Sequence, residues 1–258
     1  GYLGSELGLP RRLRGSSYDL VFSTHLRVNA FLCIYRRLGI LCCHRMVTRE
    51  STLFRDRLRR YAFWPYRLAY KIYGAQDAII AQTPYMARQL ASCLRPAVAA
   101  KIKTVPNPVD LDGISVADVP GHPEVSSGLT LIWCGRLITV KRPHIAIETL
   151  ELLRRTVFPA RLLFIGDGPL RGELERQVDK LGLSDVVTFV GHVENPAEEM
   201  IKGTHGIITS SSEGFPNVLL EMLACGLEKV FVTPCTPDIG ELPGVRLSDG
   251  FSATNMAT

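Results

Sequence analysis

The chain has 258 residues, 46% of them hydrophobic and 21% charged, with a net charge of +5, which fits a globular protein of one large or two modest domains with a real core. No apolar run reaches the roughly 18–20 residues that span a bilayer; the longest approach, residues 28–43, is interrupted by Arg36 and Arg37. Seven Cys, an odd number with no C-x-x-C among them, argue against a disulfide framework and for a reduced, cytoplasmic chain.

In chain order, the sequence opens Gly1-Tyr2-Leu3 with neither an initiator Met nor the basic-then-apolar plan of a signal peptide, which points to a fragment or a processed chain. DLVFS at 19–23 predicts a short buried strand, and residues 29–38 a helix. Residues 40–48 form a second apolar run. Within it Cys42, Cys43 and His44 lack a second ligand pair, and neighbours on a strand point to opposite faces, so a metal site is not expected there. Residues 54–73 read as helical with a kink at Pro65, 78–82 as a strand, 84–93 as a helix and 101–105 as a strand. Residues 106–128 are punctuated by Pro and Gly and make the expected linker. Alternation then restarts, with strands at 129–133, 161–165, 186–190, 206–209 and, last, 229–233. Helices fall between them at 143–155, 169–181, 195–201 and 216–225, the final one closed by Gly226. This order predicts an α/β protein with two parallel-sheet, Rossmann-like domains, 1–107 and 108–258, the second built on five strands.

Charge is unevenly spread. The first 71 residues carry 14 Lys/Arg against 4 Asp/Glu, the rest 16 against 21. A basic first third implies an anionic partner. Between 54 and 71, five Arg alternate with Tyr61, Phe63, Trp64, Tyr66 and Tyr70, a pattern suited to an anionic membrane surface. An ordinary amphipathic helix explains it equally well. A nucleic-acid-binding protein is disfavoured, since no groove-reading or single-strand-reading motif is present.

The residues that carry chemistry cluster in the second half. TSSSEGFPNVLLEMLACG at 209–226 runs a buried strand into Glu213 and Gly214, then a helix entered at Pro216. That helix N-terminus faces the crevice where open α/β sheets bind ligands. Gly214 permits close backbone approach, and Glu213 and Glu221 can line one pocket; the alternative is a capping acid and a solvated helix residue. In Gly135-Arg136-Leu137 and Lys141-Arg142-Pro143, two cations sit ahead of a helix, where the dipole disfavours them by about 0.3–1 kcal/mol each unless an anion binds. Arg136 can fork two phosphate oxygens, and Lys141 acts as a point charge. GDGPLR at 166–171 lacks the third Gly of the dinucleotide fingerprint and reads as a tight turn. FVGHV at 189–193 is a strand entering a turn that can offer backbone groups to a base edge.

Together NPVD at 107–110, GRL…K at 135–141, GDGPLR, FVGHV and SSSEGFPNVLLEMLACG resemble family 4 retaining glycosyltransferases of the GT-B fold, from about Tyr18 onward. The resemblance implies a GT-B architecture with an incomplete N-terminal domain, lacking the first strand and its Gly-rich loop. It implies that Arg136 and Lys141, with Gly135, hold the donor diphosphate and that Glu213 contacts the sugar hydroxyls. Backbone groups around Gly214, Phe215, Pro216, Asn217 and Val218 would reach sugar and phosphate. Glu221 would accept from the ribose, while Val190, His192 and Val193 would frame the base. His25 resembles the family's crevice-edge His and would bond the donor sugar; a structural His is the alternative. No metal is implied, and Asp110 and Asp112, although they spell D-x-D, read as linker residues. The expected protein moves a hexose or N-acetylhexosamine from a nucleotide-sugar donor to a glycan or lipid-linked acceptor in cell-envelope polysaccharide synthesis. It would do so in the cytoplasm, peripheral to the inner face of the membrane. An inactive nucleotide-sugar-binding module and a sugar-nucleotide epimerase of similar fold are the alternatives.

Overall fold

A computed structural model describes residues 13, 15–51, 64–108, 128–156, 159–240 and 242–257. The chain divides into two compact units, Gly1–Asn107 and Pro108–Thr258. Asp110, Asp112 and most of the punctuated stretch lie outside the described residues, as do residues 52–63 of the basic aromatic stretch.

The first unit runs β1 (Ser17–Ser23), α1 (Leu26–Arg37), β2 (Cys42–Glu50), α2 (Trp64–Ile72), β3 (Ala78–Ala81), α3 (Pro84–Ala91), α4 (Pro96–Ala99) and β4 (Ile102–Thr104). The strands form one parallel sheet in the order β1-β2-β3-β4. α3 begins at Pro84 behind Thr83, whose hydroxyl accepts from the Met86 amide at 3.2 Å, a combination that satisfies an otherwise unpaired first-turn donor. Leu26, Leu32, Met46, Tyr73 and Ile79 form the centre of the core. At the carboxyl end of β2 the Glu50 side chain is 3% exposed. It accepts from Tyr73 Oη, from Tyr70 Oη at 3.3 Å and from Asn29 Nδ2 at 3.3 Å, the kind of donor set a buried carboxylate requires. Burial, then the Glu50 charge, pushes the Tyr73 phenol well above its ordinary range and keeps it a donor.

The second unit runs β5 (Leu129–Cys134), a 3-10 turn (Thr139–Lys141), α5 (His144–Thr156), β6 (Ala160–Ile165), α6 (Arg171–Lys180), β7 (Val187–Gly191) and α7 (Ala197–Met200). It continues through β8 (His205–Ile208), α8 (Asn217–Ala224), β9 (Lys229–Val232), a second 3-10 turn (Pro237–Ile239), β10 (Val245–Leu247) and α9 (Ala253–Ala257). Its parallel sheet has six strands, in the order β10-β9-β8-β5-β6-β7. The five-strand expectation, with residues 229–233 as the last strand, is corrected by β10. That strand is three residues long, sits at the sheet edge and leaves Leu247 42% exposed, so it carries no apolar run to read.

Side-chain alternation divides this sheet into two buried faces. Leu131, Trp133, Leu162 and Phe164 pack on one side with α5, α6 and α9. Ile132, Ile165, Ile208, Val230 and Val232 pack on the other with Met200 of α7 and Leu219 and Met222 of α8. Trp133, Phe164 and Phe189 are register partners on adjacent strands. Their rings form a ladder, Trp133 tilted against Phe164 and Phe164 stacked on Phe189, with centroids 5.3 and 4.9 Å apart, within the favourable aromatic range. From β5 the order runs outward through β6 and β7; from β8 it runs the other way through β9 and β10. The reversal between β5 and β8 splays the loops that leave them and opens a crevice at the carboxyl edge.

Candidate functional site

Two glycine turns build the floor of the crevice. The Gly135 amide donates to Ile165 O at 2.9 Å, Leu137 N to Asp167 O at 3.0 Å and Leu170 N to Leu137 O at 3.1 Å. This stitches the loop after β5 to the loop after β6. The approach is too close for side chains: a Cβ on Gly166, at φ 117°, would lie 2.2 Å from Gly135 O, and one on Gly168 2.5 Å from Leu137 O. The GDGPLR string is therefore more than a tight turn, since its glycines let two backbones touch. The loop after β7 joins them through Gly166 N to Gly191 O at 2.7 Å.

The loop after β8 supplies the charged centre. Lys141 Nζ donates to Glu213 Oε1 at 2.5 Å, with side chains 25% and 17% exposed. Ser210 Oγ donates to the same oxygen at 2.7 Å. The Glu213 amide donates to Cys235 O at 3.1 Å, which fixes the carboxylate from behind. Pro216 is the residue before α8 rather than part of its first turn, and no side chain caps that helix. The capping reading of Glu213 is thereby corrected: its carboxylate meets a lysine across the crevice. Lys141 and Arg142 need no anion to offset the helix dipole, because Glu213 takes the first. Arg142, left-handed at φ 49°, donates to Phe251 O at 2.8 Å and lies 5.4 Å from the Phe251 ring centre.

Beside this pair a cavity of about 460 Å³ is lined by Cys134, Gly135, Arg136, Ile165, Gly166, Asp167, His192, Val193 and Pro196. It brings together four of the expected residues, Gly135, Arg136, His192 and Val193. Arg136 is exposed, and its guanidinium makes no hydrogen bond or ion pair among the described residues. Val190 is not on the cavity wall. The β6–β7 register slips so that Phe164 pairs with Phe189 but Ile165 with Gly191, and Val190, the extra residue, packs against the core below. Phe215 and Val218 are also partly buried against that core, Asn217 is exposed, and buried Gly214 does not adopt a left-handed conformation. Its carbonyl accepts from Thr236 Oγ1 at 3.4 Å. His25 is exposed in the first unit, between β1 and α1, with no capping bond from its side chain.

Glu221 is half-buried in α8, and burial raises its carboxyl above the usual range. It is thus not a solvated helix residue. Burial, and after it the Glu221 charge, pushes the Cys134 thiol up to about 12; burial and then Glu213 do the same to Cys235. Burial thus keeps both thiols neutral. Among the described residues no three His, Cys, Asp or Glu side chains gather as a metal-binding group. Of the other lining residues, Gly166 and Asp167 belong to the GDGPLR string, read from sequence as a tight turn only, and Pro196 was not singled out; the signal was the strand order, which brings the loops after β5, β6 and β7 to one edge.

Residues 2–112 match the family described as Glycosyltransferase Family 4, and residues 128–249 the one described as Glycosyl transferases group 1. An uncharacterized glycosyltransferase of Methanocaldococcus jannaschii is 28% identical over 70% of this chain and 46% of its own length. The GDP-mannose-dependent alpha-(1-6)-phosphatidylinositol dimannoside mannosyltransferase of Mycobacterium tuberculosis is 32% identical over 51% of this chain and 35% of its own. The N-acetyl-alpha-D-glucosaminyl L-malate synthase of Bacillus anthracis is 35% identical over 45% and 29%. The chain thus spans less than half the length of the curated relatives it matches. Among solved structures, Anabaena HepE in complex with UDP superposes with a TM-score of 0.79 at 18% identity, over 100% of this chain and 71% of that one. The fold is the GT-B type, and with both halves matched by glycosyltransferase families the chain belongs to the family 4 glycosyltransferases.

Proposed function

We propose that the second unit binds a nucleotide-sugar donor in the crevice between β5 and β8, and that the protein is a retaining glycosyltransferase. The observation that carries this reading is the Lys141–Glu213 pair at the sheet's switch point, beside a cavity that presents Arg136. A nucleotide sugar needs cations for its diphosphate, a carboxylate for its sugar hydroxyls, and a shaped slot for its base, in that spatial sequence. Arg136 and Lys141 take the diphosphate, Glu213 the sugar and Glu221 the ribose. The turn at His192 and Val193, with the backbone at Val190, frames the base.

Charge that develops on the leaving diphosphate is met by these two cations and by the positive end of the α8 dipole. The reading therefore calls for no metal. Retention follows from attack of the acceptor hydroxyl on the face the diphosphate leaves, so no second carboxylate is required below the ring. The activities of the relatives support a hexosyl or N-acetylhexosaminyl group as cargo and a glycan or lipid-linked acceptor. No helix among the described residues is long and apolar enough to cross a membrane. The positive balance of the first 71 residues favours a cytoplasmic protein resting on an anionic leaflet.

Titration calorimetry with UDP, GDP and their hexose and N-acetylhexosamine conjugates tests the reading. Binding of at least one, lost in Arg136→Ala and Glu221→Ala, is expected. No heat with any of them overturns the donor site; binding without consumption of donor in the presence of acceptors leaves a binding module and removes the transferase.

A further inference from the structure

Behind the Lys141–Glu213 pair lies a short chain of buried hydrogen bonds that the proposed donor chemistry does not itself use. The Trp133 indole Nε1 donates to Thr209 Oγ1 at 3.0 Å, and Thr209 Oγ1 donates to the main-chain oxygen of Lys141 at 2.7 Å. Both side chains are buried, Thr209 at 0% and Trp133 at 2% exposure. The direction of the chain is forced. An indole N–H can only donate, so the hydroxyl accepts there and spends its single proton on Lys141. The origin is equally fixed, because the Trp133 ring packs tilted against Phe164, which in turn stacks on Phe189.

The next residues continue the pattern. Ser211 donates to Val140 O through both its amide, at 2.9 Å, and its hydroxyl, at 3.2 Å. Ser210 donates to Glu213, and its own carbonyl is held by Thr233 Oγ1 at 2.6 Å. Three consecutive hydroxyl side chains thus grip the two halves of the charged pair, Thr209 and Ser211 the 3-10 turn and Ser210 the carboxylate. The turn's own bonds are few: Lys141 N to Ile138 O at 3.0 Å and Arg142 N to Thr139 O at 3.3 Å.

We propose that Thr209, oriented by Trp133, is a positioning residue for the donor diphosphate: it fixes the backbone from which Lys141 projects, and so the place where the ammonium meets phosphate. The inference rests on the donor-site reading above. A lysine ammonium rides a flexible stem, so its accuracy comes from its anchor, and a misplacement of about 1 Å costs as much as a hundredfold in a well-aligned site.

Titration calorimetry with UDP and GDP, alongside thermal unfolding, tests it in four variants. Thr209→Ser keeps both bonds and is expected to bind within about twofold of wild type. Thr209→Val removes both, and a fall in nucleotide affinity of roughly tenfold, about 1.4 kcal/mol, is expected. Trp133→Phe removes the orienting donor alone and is expected to give a smaller fall. The double variant Trp133→Phe/Thr209→Val leaves no orphan indole N–H; it is expected to recover thermal stability relative to Thr209→Val without recovering affinity. Thr209→Val with wild-type affinity overturns the proposal, as does a double variant in which affinity returns together with stability. Should Thr209→Val fail to fold, Trp133→Phe carries the test, and unchanged affinity there overturns it. A wild-type protein that binds neither nucleotide overturns the donor site and this inference together, whereas wild-type binding with unaffected variants overturns this inference alone.

Discussion

In the structure Glu213 and Lys141 neutralise each other at 2.5 Å, so a diphosphate must compete for the lysine. Glu213→Gln removes the charge yet keeps an oxygen for Lys141 and Ser210 and leaves the volume unchanged. At an effective dielectric near 20, two unit charges about 4 Å apart attract by roughly 4 kcal/mol. Desolvation and side-chain ordering leave a net of about 1–1.4 kcal/mol, within the span of a typical intramolecular hydrogen bond. Freed of that competition, Lys141 binds the nucleoside diphosphate alone about five- to tenfold more tightly. The nucleotide sugar behaves in the opposite sense, since its hydroxyls lose a charged acceptor. Replacing a charge-assisted bond by a neutral one costs about 1–2 kcal/mol, so the sugar's own contribution to affinity falls roughly 5- to 30-fold. Paired calorimetric titrations of the diphosphate and its sugar conjugate, on wild type and Glu213→Gln, read both effects. Equal weakening of the two ligands refutes the reasoning, as does an unchanged diphosphate affinity.

Gly166→Ala places a methyl 2.2 Å from Gly135 O at φ 117°; backbone strain of about 1–3 kcal/mol plus loosened loop bonds predicts a loss of about 3–5 kcal/mol and a Tm lower by about 6–20 °C, and a shift under 2 °C by circular dichroism contradicts the backbone contact. Glu221 has a folded-state pKa raised by burial, so its ionised form disfavours folding: that cost is absent below the ordinary carboxylate range and complete above the raised value. Glu221→Gln is therefore expected to be stabilising at pH 7–8, with the gain fading on acidification. Nucleotide affinity in wild type falls as pH drops through the raised value, because ribose hydroxyls need the carboxylate; a pH-independent affinity between pH 8 and 5, or an equally pH-dependent variant, counts against this. Glu50→Ala deprives Tyr73, Tyr70 and Asn29 of an acceptor and is expected to destabilise by about 2–4 kcal/mol in urea unfolding, with Glu50→Gln milder; an unchanged midpoint contradicts the buried donor set.

The alternation of strands and helices was legible because a parallel sheet covered on both faces needs continuous apolar strands, as in LTLIWC and ARLLFI at 129–134 and 160–165. β10 and α4 were not legible: three and four residues carry no period. Within the candidate site the two carboxylates and two cations were visible as residue types in suggestive places. Their pairing was not, since Lys141 and Glu213 are 72 positions apart and only the reversal of strand order between β5 and β8 makes them neighbours. The inward turn of the Val190 side chain was hidden for a related reason. A bulge inserts one residue without any mark in the sequence, and a slip of one turns a side chain from cavity to core. Arg142, by contrast, looked like a cation in want of an anion only because Phe251, 109 positions on, could not be seen beside it.

The crevice divides its work by stiffness. Its floor is backbone against backbone, with Gly166 against Gly135 and Gly168 against Leu137 too close to admit a Cβ on either glycine, and it cannot adapt. Its charges ride on long side chains, Arg136 exposed and Lys141 engaged with Glu213, and these can. On the donor-site reading the base and ribose meet the rigid part, and the diphosphate and sugar the adjustable part. Preorganised dipoles lose little on binding, whereas mobile cations must be aimed. That is why the hydroxyls of Thr209, Ser210 and Ser211 matter: they extend the stiffness of the aromatic ladder to the root of Lys141, and leave only its tip free to exchange Glu213 for the ligand.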